Sequence, residues 1–348
     1  MENSSVVGWL FALLSYHSWV LFSSLTVTYV LYLNNARGEK SHRPALPLKE
    51  KTCYNKLDEN FSWNLARLWG KPAGALFHGC AQGGGRMRRY ALLGERLGHS
   101  YSVPIHQAIF RVLGLQADYR LLEIPRGELG ARFPALCREL DGMNVTIPYK
   151  EEVMPLLDGV DDFARQVGAV NTVLCRGGAS RGYNTDVAGF MAMLERYGIP
   201  VAGHPAYVLG TGGASQAART ALKALGAASV TLVSRKPEPG ELGYGELAER
   251  FSGVLVNCTP VGMYPHGEGC PLTGEQLRVM LPRACGVADM IYNPAETCLT
   301  RAAREAGVPA CTGLYMLIHQ AVEAESIWQG QSLGRALTDQ LMKELKLP

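Results

Sequence analysis

The sequence predicts a two-domain α/β protein, and three observations carry that expectation. Strand-like and helix-like segments alternate from Met87 to the C-terminus, the pattern of a largely parallel sheet covered by helices. The alternation restarts after the break GIPVAGHP at 198–205, so two such units follow one another. Of the 348 residues, 47% are hydrophobic and 19% charged, which supplies enough apolar surface for two cores and excludes a disordered chain.

The elements follow in order. Tyr90–Gly94 is a short apolar run that reads as a strand, and a helical pattern surrounds Pro104–Leu115. Asp118–Ile124 (strand), Glu128–Leu140 (helix) and Met143–Ile147 (strand) come next. Lys150–Leu157 is helical and Ala169–Leu174 is a further strand. A polar loop then leads into the helix Val187–Tyr197. In the second unit, strand Ala206–Leu209 enters a glycine turn, followed by helix Ser215–Leu225 and strand Ser229–Val233. Ser332–Leu347 has the apolar spacing of an amphipathic terminal helix.

Residues 1–86 differ in composition from the rest. They hold nine Lys and Arg against five Asp and Glu, whereas the other 262 residues hold 25 against 26. The net charge of +3 therefore belongs to the first quarter and implies no nucleic-acid partner for the rest. Four of the five tryptophans also lie there, and Asn3–Ala36 contains no Asp, Glu, Lys or Arg. The apolar stretch Val6–Leu33 is long enough to span a bilayer, and the basic residues after it would keep the bulk of the chain in the cytoplasm. The other reading takes Met87 as the start and 1–86 as over-extended translation, since Pro44, Pro47, Pro72 and Gly83–Gly85 break any periodicity in 34–86. Nine cysteines form no C-x-x-C pair, and eight histidines form no ligand spacing such as H-E-x-x-H. That argues for a reducing compartment and against a disulfide framework or a metal site. His99 and His106 read as packing or hydrogen-bonding residues.

The segment AYVLGTGGAS at 206–215 is a strand, a glycine turn and the opening of a helix. Gly210 suits the tight turn, while Gly212 and Gly213 let the backbone approach a pyrophosphate at the helix start near Ala214. Ser215 stands where the usual fingerprint has a third glycine. The next strand ends in Ser234-Arg235-Lys236 with no acid before Glu238, and a basic end suits the 2′-phosphate of NADP rather than the free ribose of NAD.

Seven further motifs occur in a specific order: GHSYSVPIH at 98–106, GMNVTIPYKE at 142–151, GAVNT at 168–172, GYNTD at 182–186, NCTPVGM at 257–263, DMIYNP at 289–294 and GLYMLIHQ at 313–320. Over about residues 88–335 the chain closely resembles the shikimate dehydrogenases. The resemblance implies an N-terminal mixed or parallel α/β substrate domain (87–186) and a Rossmann-type doubly wound NADP domain (187–331), with the terminal helix 332–347 returning to the first. It implies the reversible NADPH-dependent reduction of 3-dehydroshikimate to shikimate on the route to chorismate and the aromatic amino acids. Lys150 and Asp186 match the catalytic pair. Ser100 and Ser102 match the serines that hold the substrate carboxylate, although Val103 rather than proline follows the second. Thr146, Asn171 and Gln320 match the groups that grip the ring hydroxyls, and Tyr292 also falls in the substrate set. Gly210, Gly212, Gly213, Ala214, Arg235, Lys236, Thr259, Met263 and Gly313 fall on the NADP side. The implied protein is cytoplasmic, metal-free and a candidate homodimer, with membrane association only through 6–33. Competing readings are a quinate/shikimate dehydrogenase using NAD and a catalytically silent sensor of the same metabolites.

Overall fold

A computed structural model describes residues 86–345 and 347, except His99. Residues 1–85, with the apolar stretch 6–33 and both readings of it, lie outside the described residues. So does the packing role expected of His99.

The first unit runs β1 (Arg88–Gly94), α1 (Ser102–Leu113), β2 (Ala117–Glu123), α2 (Leu129–Glu139), β3 (Gly142–Val145), α3 (Tyr149–Glu152), β4 (Gly159–Val160), α4 (Asp162–Val167), β5 (Thr172–Arg176) and β6 (Ala179–Tyr183). Its six strands lie in the order β2-β1-β3-β5-β6-β4. β1 pairs in parallel with β2 and β3, whereas β5 is antiparallel to both β3 and β6. The sheet is therefore mixed. The β5–β6 hairpin departs from the sequence reading, which has a strand at 169–174 and then a loop. Gly177 and Gly178, at φ 59 and 85, supply the two left-handed residues that a two-residue hairpin needs. Ala91, Leu93, Phe133, Met143, Tyr149 and Val173 form the core of this unit.

The second unit contains α5 (Thr185–Arg196), β7 (Pro205–Leu209), α6 (Gly213–Ala224), β8 (Ser229–Ser234), β9 (Leu242–Gly243), α7 (Tyr244–Arg250), β10 (Gly253–Asn257), α8 (Gly274–Met280), β11 (Ala284–Asp289), α9 (Cys298–Glu305), β12 (Ala310–Thr312), α10 (Leu314–Gln329) and α11 (Gly334–Glu344). Its sheet order is β12-β11-β10-β7-β8-β9, and every neighbouring pair is parallel. This is the doubly wound order, with the reversal between β7 and β10. The strands are buried on both faces: Val254 and Val256 join one core while Leu255 joins the other. In such a sheet a ligand site lies beyond the carboxyl ends of the strands at the reversal, here Gly210 and Cys258–Thr259.

α10 connects the two halves. It packs along α5, while Trp328 near its end stacks on Tyr90 of β1 at 4.5 Å. Leu337 and Leu341 of α11 cluster with Ile105, Ala108 and Ile109 of α1. Among the described residues, no helix is long and apolar enough to cross a membrane.

Candidate active site

Lys150 and Asp186 are 36 residues apart in sequence and meet in space, with Lys150 Nζ 2.7 Å from Asp186 Oδ2. Lys150 is the second residue of the one-turn helix α3, and its carbonyl accepts from Val170 N at 2.8 Å. Asp186 lies in the first turn of α5, where the exposed backbone N–H groups favour a carboxylate. It is not the helix cap: Asn184 holds that position and accepts from Val187 N at 3.3 Å. The side chains are 30% and 19% exposed, so both can reach a ligand.

Asn171 holds the other oxygen of Asp186, donating from Nδ2 to Oδ1 at 2.9 Å. Its own carbonyl oxygen accepts from Thr185 N at 2.8 Å and from Thr172 Oγ1 at 3.1 Å. Asn144 donates from Nδ2 to Thr172 Oγ1 at 3.1 Å, and Tyr119 donates to Asn144 Oδ1 at 2.8 Å. Burial makes the Tyr119 hydroxyl proton harder to remove. His106 lies flat on Tyr119 at 4.1 Å, and its Nδ1 meets the buried Glu325 Oε1 at 2.7 Å. A largely buried polar chain thus runs from Tyr119 to the Lys150–Asp186 pair. In such a network each member restricts the rotamers of the next.

Ser100 Oγ accepts from Ser102 N at 3.2 Å. Between the two serines, Tyr101 meets Tyr292 edge-on at 5.8 Å, which brings the loop after β11 against the loop before α1. Gln320 is beside Asp186's helix, since a Cβ at Gly189, one turn along α5, would be 3.2 Å from Gln320 Cβ. Its Nε2 donates to Leu317 O at 2.8 Å. Thr146 is half-buried after β3, and its N donates to Leu93 O at 2.9 Å.

On the second sheet, Gly210 has φ 98 and makes the left-handed turn after β7. A Cβ there would be 3.2 Å from Thr259 Cγ2, so the turn and the Thr259 loop are in contact. Gly212 caps the twelve-residue helix α6 without a side-chain hydrogen bond. Cβ atoms built at Gly212 and Gly213 would meet nothing within 4 Å. Gly212, Gly213 and Ala214 are exposed at a helix start, where the first N–H groups have no partner within the helix and suit a phosphate. Ser215 is fully buried and closes back on Gly212 O, so a small side chain suffices where the fingerprint has glycine. Arg235 and Lys236 are exposed at the end of β8. Met263 is 45% exposed beyond Thr259. Gly313 is buried against β11, where a Cβ would be only 2.2 Å from Met290 O. Its lack of a side chain is a packing requirement.

Asp289, the first residue of the DMIYNP motif, ends β11 at this end of the sheet. It is fully buried, and burial pushes its carboxyl from the usual 3.8 up to about 6 against three hydrogen bonds that pull it down. Because the folded value is the higher one, the stabilisation that protonated Asp289 contributes is present below about pH 4. It is lost as pH rises through about 6. The ionised form then costs up to about 3 kcal/mol. Asp289→Asn should therefore melt above the parent at pH 8, with the gap closing at pH 4.5. An equal gap in thermal scans at both pH values would refute this origin.

Comparison with known proteins agrees with this geometry. The family profile described as the shikimate dehydrogenase substrate binding domain matches residues 92–173. Shikimate dehydrogenase (NADP(+)) of Symbiobacterium thermophilum is 39% identical over 273 residues, covering 72% of this chain and 91% of the relative. The counterpart from Clostridium perfringens is 36% identical over 272 residues, 75% of this chain and 99% of the relative. Among solved structures, shikimate 5-dehydrogenase of Thermus thermophilus in complex with NADP(H) and shikimate is 32% identical. It superposes with a TM-score of 0.66 over 74% of this chain and 99% of that one. With this identity across nearly the whole of such relatives, and with both sheets in place, the chain belongs to the shikimate dehydrogenase family.

Proposed function

We propose that the protein catalyses the reversible NADPH-dependent reduction of 3-dehydroshikimate to shikimate. The observation that carries this is the Lys150–Asp186 pair, held in place by Asn171 and partly exposed to a ligand. The open cradle at Gly212 and Gly213 and the basic end of β8 fit a phosphorylated dinucleotide. The N–H groups of Gly212–Ala214 would hold its pyrophosphate, Arg235 and Lys236 its 2′-phosphate, and Thr259 and Met263 the nicotinamide side.

When bound, NADPH supplies a hydride to the ketone carbon. The developing oxyanion needs a positive neighbour and then a proton, and Lys150 Nζ provides both. Asp186 keeps the ammonium aimed and compensates its charge, while Asn171 prevents the carboxylate from turning away. Ser100 and Ser102 offer hydroxyls to the ring carboxylate. Thr146, Asn171, Tyr292 and Gln320 surround the ring hydroxyls. The substrate domain covers 87–186 with the return of 332–347, and the NADP domain covers 187–331. The protein acts in the cytoplasm, and a homodimer is the assembly to test by light scattering.

The direct test is shikimate oxidation followed by the absorbance of the reduced nicotinamide, with NADP or NAD, and with quinate as the alternative acid. Turnover of shikimate with NADP is the expected result, and activity with neither acid overturns the proposal. Arg235→Ser removes a charge-assisted contact of about 1.5–3 kcal/mol, so KM for NADP should rise about 10- to 100-fold. The KM for NAD should stay within about twofold, since NAD lacks the 2′-phosphate. An unchanged ratio of the two KM values would remove Arg235 from cofactor selection.

A further inference from the structure

Two buried side chains at the carboxyl ends of β10 and β11 form a hub between the two sides of the site. Asn257 and Asp289 stand opposite each other in the parallel ladder, and neither is exposed. Asn257 Nδ2 donates to Asp289 Oδ1 at 3.0 Å, and Met290 N donates to Asn257 O at 2.9 Å. Each side chain then reaches into one loop. Asn257 Oδ1 accepts from Thr259 N at 3.0 Å and Thr259 Oγ1 at 2.7 Å. Val261 N in turn donates to Thr259 Oγ1 at 3.3 Å. Asp289 Oδ1 also accepts from Ile291 N at 3.1 Å, directly before Tyr292, and Asp289 Oδ2 accepts from Thr297 Oγ1 at 2.8 Å.

We propose that Asp289 is a positioning residue that fixes the cofactor-side loop 257–263 and the substrate-side loop 290–297 to each other. Turnover therefore depends on its acceptor oxygens, although it touches neither ligand. The proposal rests on the dehydrogenase reading above. Packing alone does not account for the arrangement. An apolar side chain would fill a fully buried strand end, yet here three donors from separate loop positions converge on one carboxylate. The two loops also meet directly, since Tyr264 N, just past the first, donates to Asn293 O in the second at 3.0 Å, and each leans on a further part of the site. The Thr259 loop leans on the glycine turn at Gly210, and the Tyr292 loop leans on Tyr101 between the two serines. A hydride acceptor and donor held by two loops need those loops in a fixed relation, since misplacement by about 1 Å can cost about 10²-fold in rate.

The hub makes an asymmetric prediction. Asn257→Ala frees only the cofactor-side loop, whereas Asp289→Ala frees both. Asp289→Asn retains an oxygen for Asn257 and Ile291, and the Thr297 hydroxyl can rotate to accept from the new amide. The experiment measures kcat and both KM values on the full chain, with NADPH fluorescence titrations and thermal melts. Asn257→Ala removes the bonds to Thr259 and Asp289 and should raise KM and Kd for the cofactor at least about tenfold, with KM for shikimate within about twofold. Asp289→Ala should raise both KM values and lower kcat about 10- to 100-fold. Asp289→Asn should recover to within about threefold of the parent, which a role for the negative charge itself would not allow. Asn257→Ala moving both KM values alike, or neither, overturns the proposal. Parent-like kinetics of Asp289→Ala overturn it as well. Failure of the unaltered protein to oxidise shikimate strikes the activity reading instead. The NADPH titration, which needs no turnover, still decides the Asn257 arm.

Discussion

Lys150→Ala lowers kcat for shikimate oxidation by about 10²–10⁴-fold, the usual contribution of a placed general acid or base, while Kd for NADP stays within about twofold. The split follows from where the side chain stands. Lys150 stands on α3 of the first unit, whereas the glycine cradle and Arg235 belong to the second sheet. Folding should survive, because a lysine that is 30% exposed and paired with a partly exposed carboxylate contributes little net stability. Losing the ammonium leaves the oxyanion without a proton source and leaves Asp186, still held by Asn171, facing the substrate with uncompensated charge. Lys150→Arg separates the two roles of the residue. A guanidinium can stabilise the oxyanion but does not release a proton near neutral pH, so it should recover only a small part of the rate. Near-normal kcat in Lys150→Ala would remove this residue from the chemistry. An equal rise in Kd for NADP would make its role structural.

Much of this arrangement is legible in the amino-acid sequence. Alternating periodicity identifies the α/β units, and the elements fall within a few residues of their expected ends, as with Val187–Tyr197 against Thr185–Arg196. The glycine turn is readable because glycine, strand and helix occur there in the one order that exposes N–H groups to a phosphate. The β5–β6 hairpin escapes a sequence reading although Gly177-Gly178 is a two-residue turn signal, because the polar GYNTD that follows reads as loop. The supports of the site are hidden for a different reason. Thr172, Thr185 and Tyr119 are ordinary strand and helix-start residues in sequence, and Tyr119 lies 67 positions from Asp186. Only the sheet order, which sets β3 between β1 and β5, brings Asn144 and Thr172 within hydrogen-bonding reach. Asn257 and Asp289 stand inside recognisable motifs, but their pairing is a property of the parallel register and not of either motif.

The largest effect on stability is expected at Trp328, because this side chain is where α10 is fastened to the first sheet. The indole is 2% exposed, stacks on Tyr90 at 4.5 Å and donates from Nε1 to Val173 O at 2.9 Å. Trp328→Ala should destabilise the chain by about 3–5 kcal/mol, read from urea unfolding followed by circular dichroism. The same indole explains Gly142: a Cβ there would be 2.3 Å from Trp328 Nε1, closer than any side chain tolerates. Gly142→Ala alone should therefore cost about 1–3 kcal/mol through overpacking. The two changes are complementary in shape, since the methyl added at β3 enters part of the space that the indole vacates. The double variant should consequently be less unstable than the sum of the singles, with a coupling of about 0.5–3 kcal/mol. Strict additivity would mean that the two sites relax independently and that the contact does not fasten the helix. Since α10 also carries Gln320 and begins just after Gly313, loosening its far end should raise KM for shikimate before the protein unfolds. That rise, at denaturant concentrations where circular dichroism is still native, would tie the packing of one tryptophan to the geometry of the site.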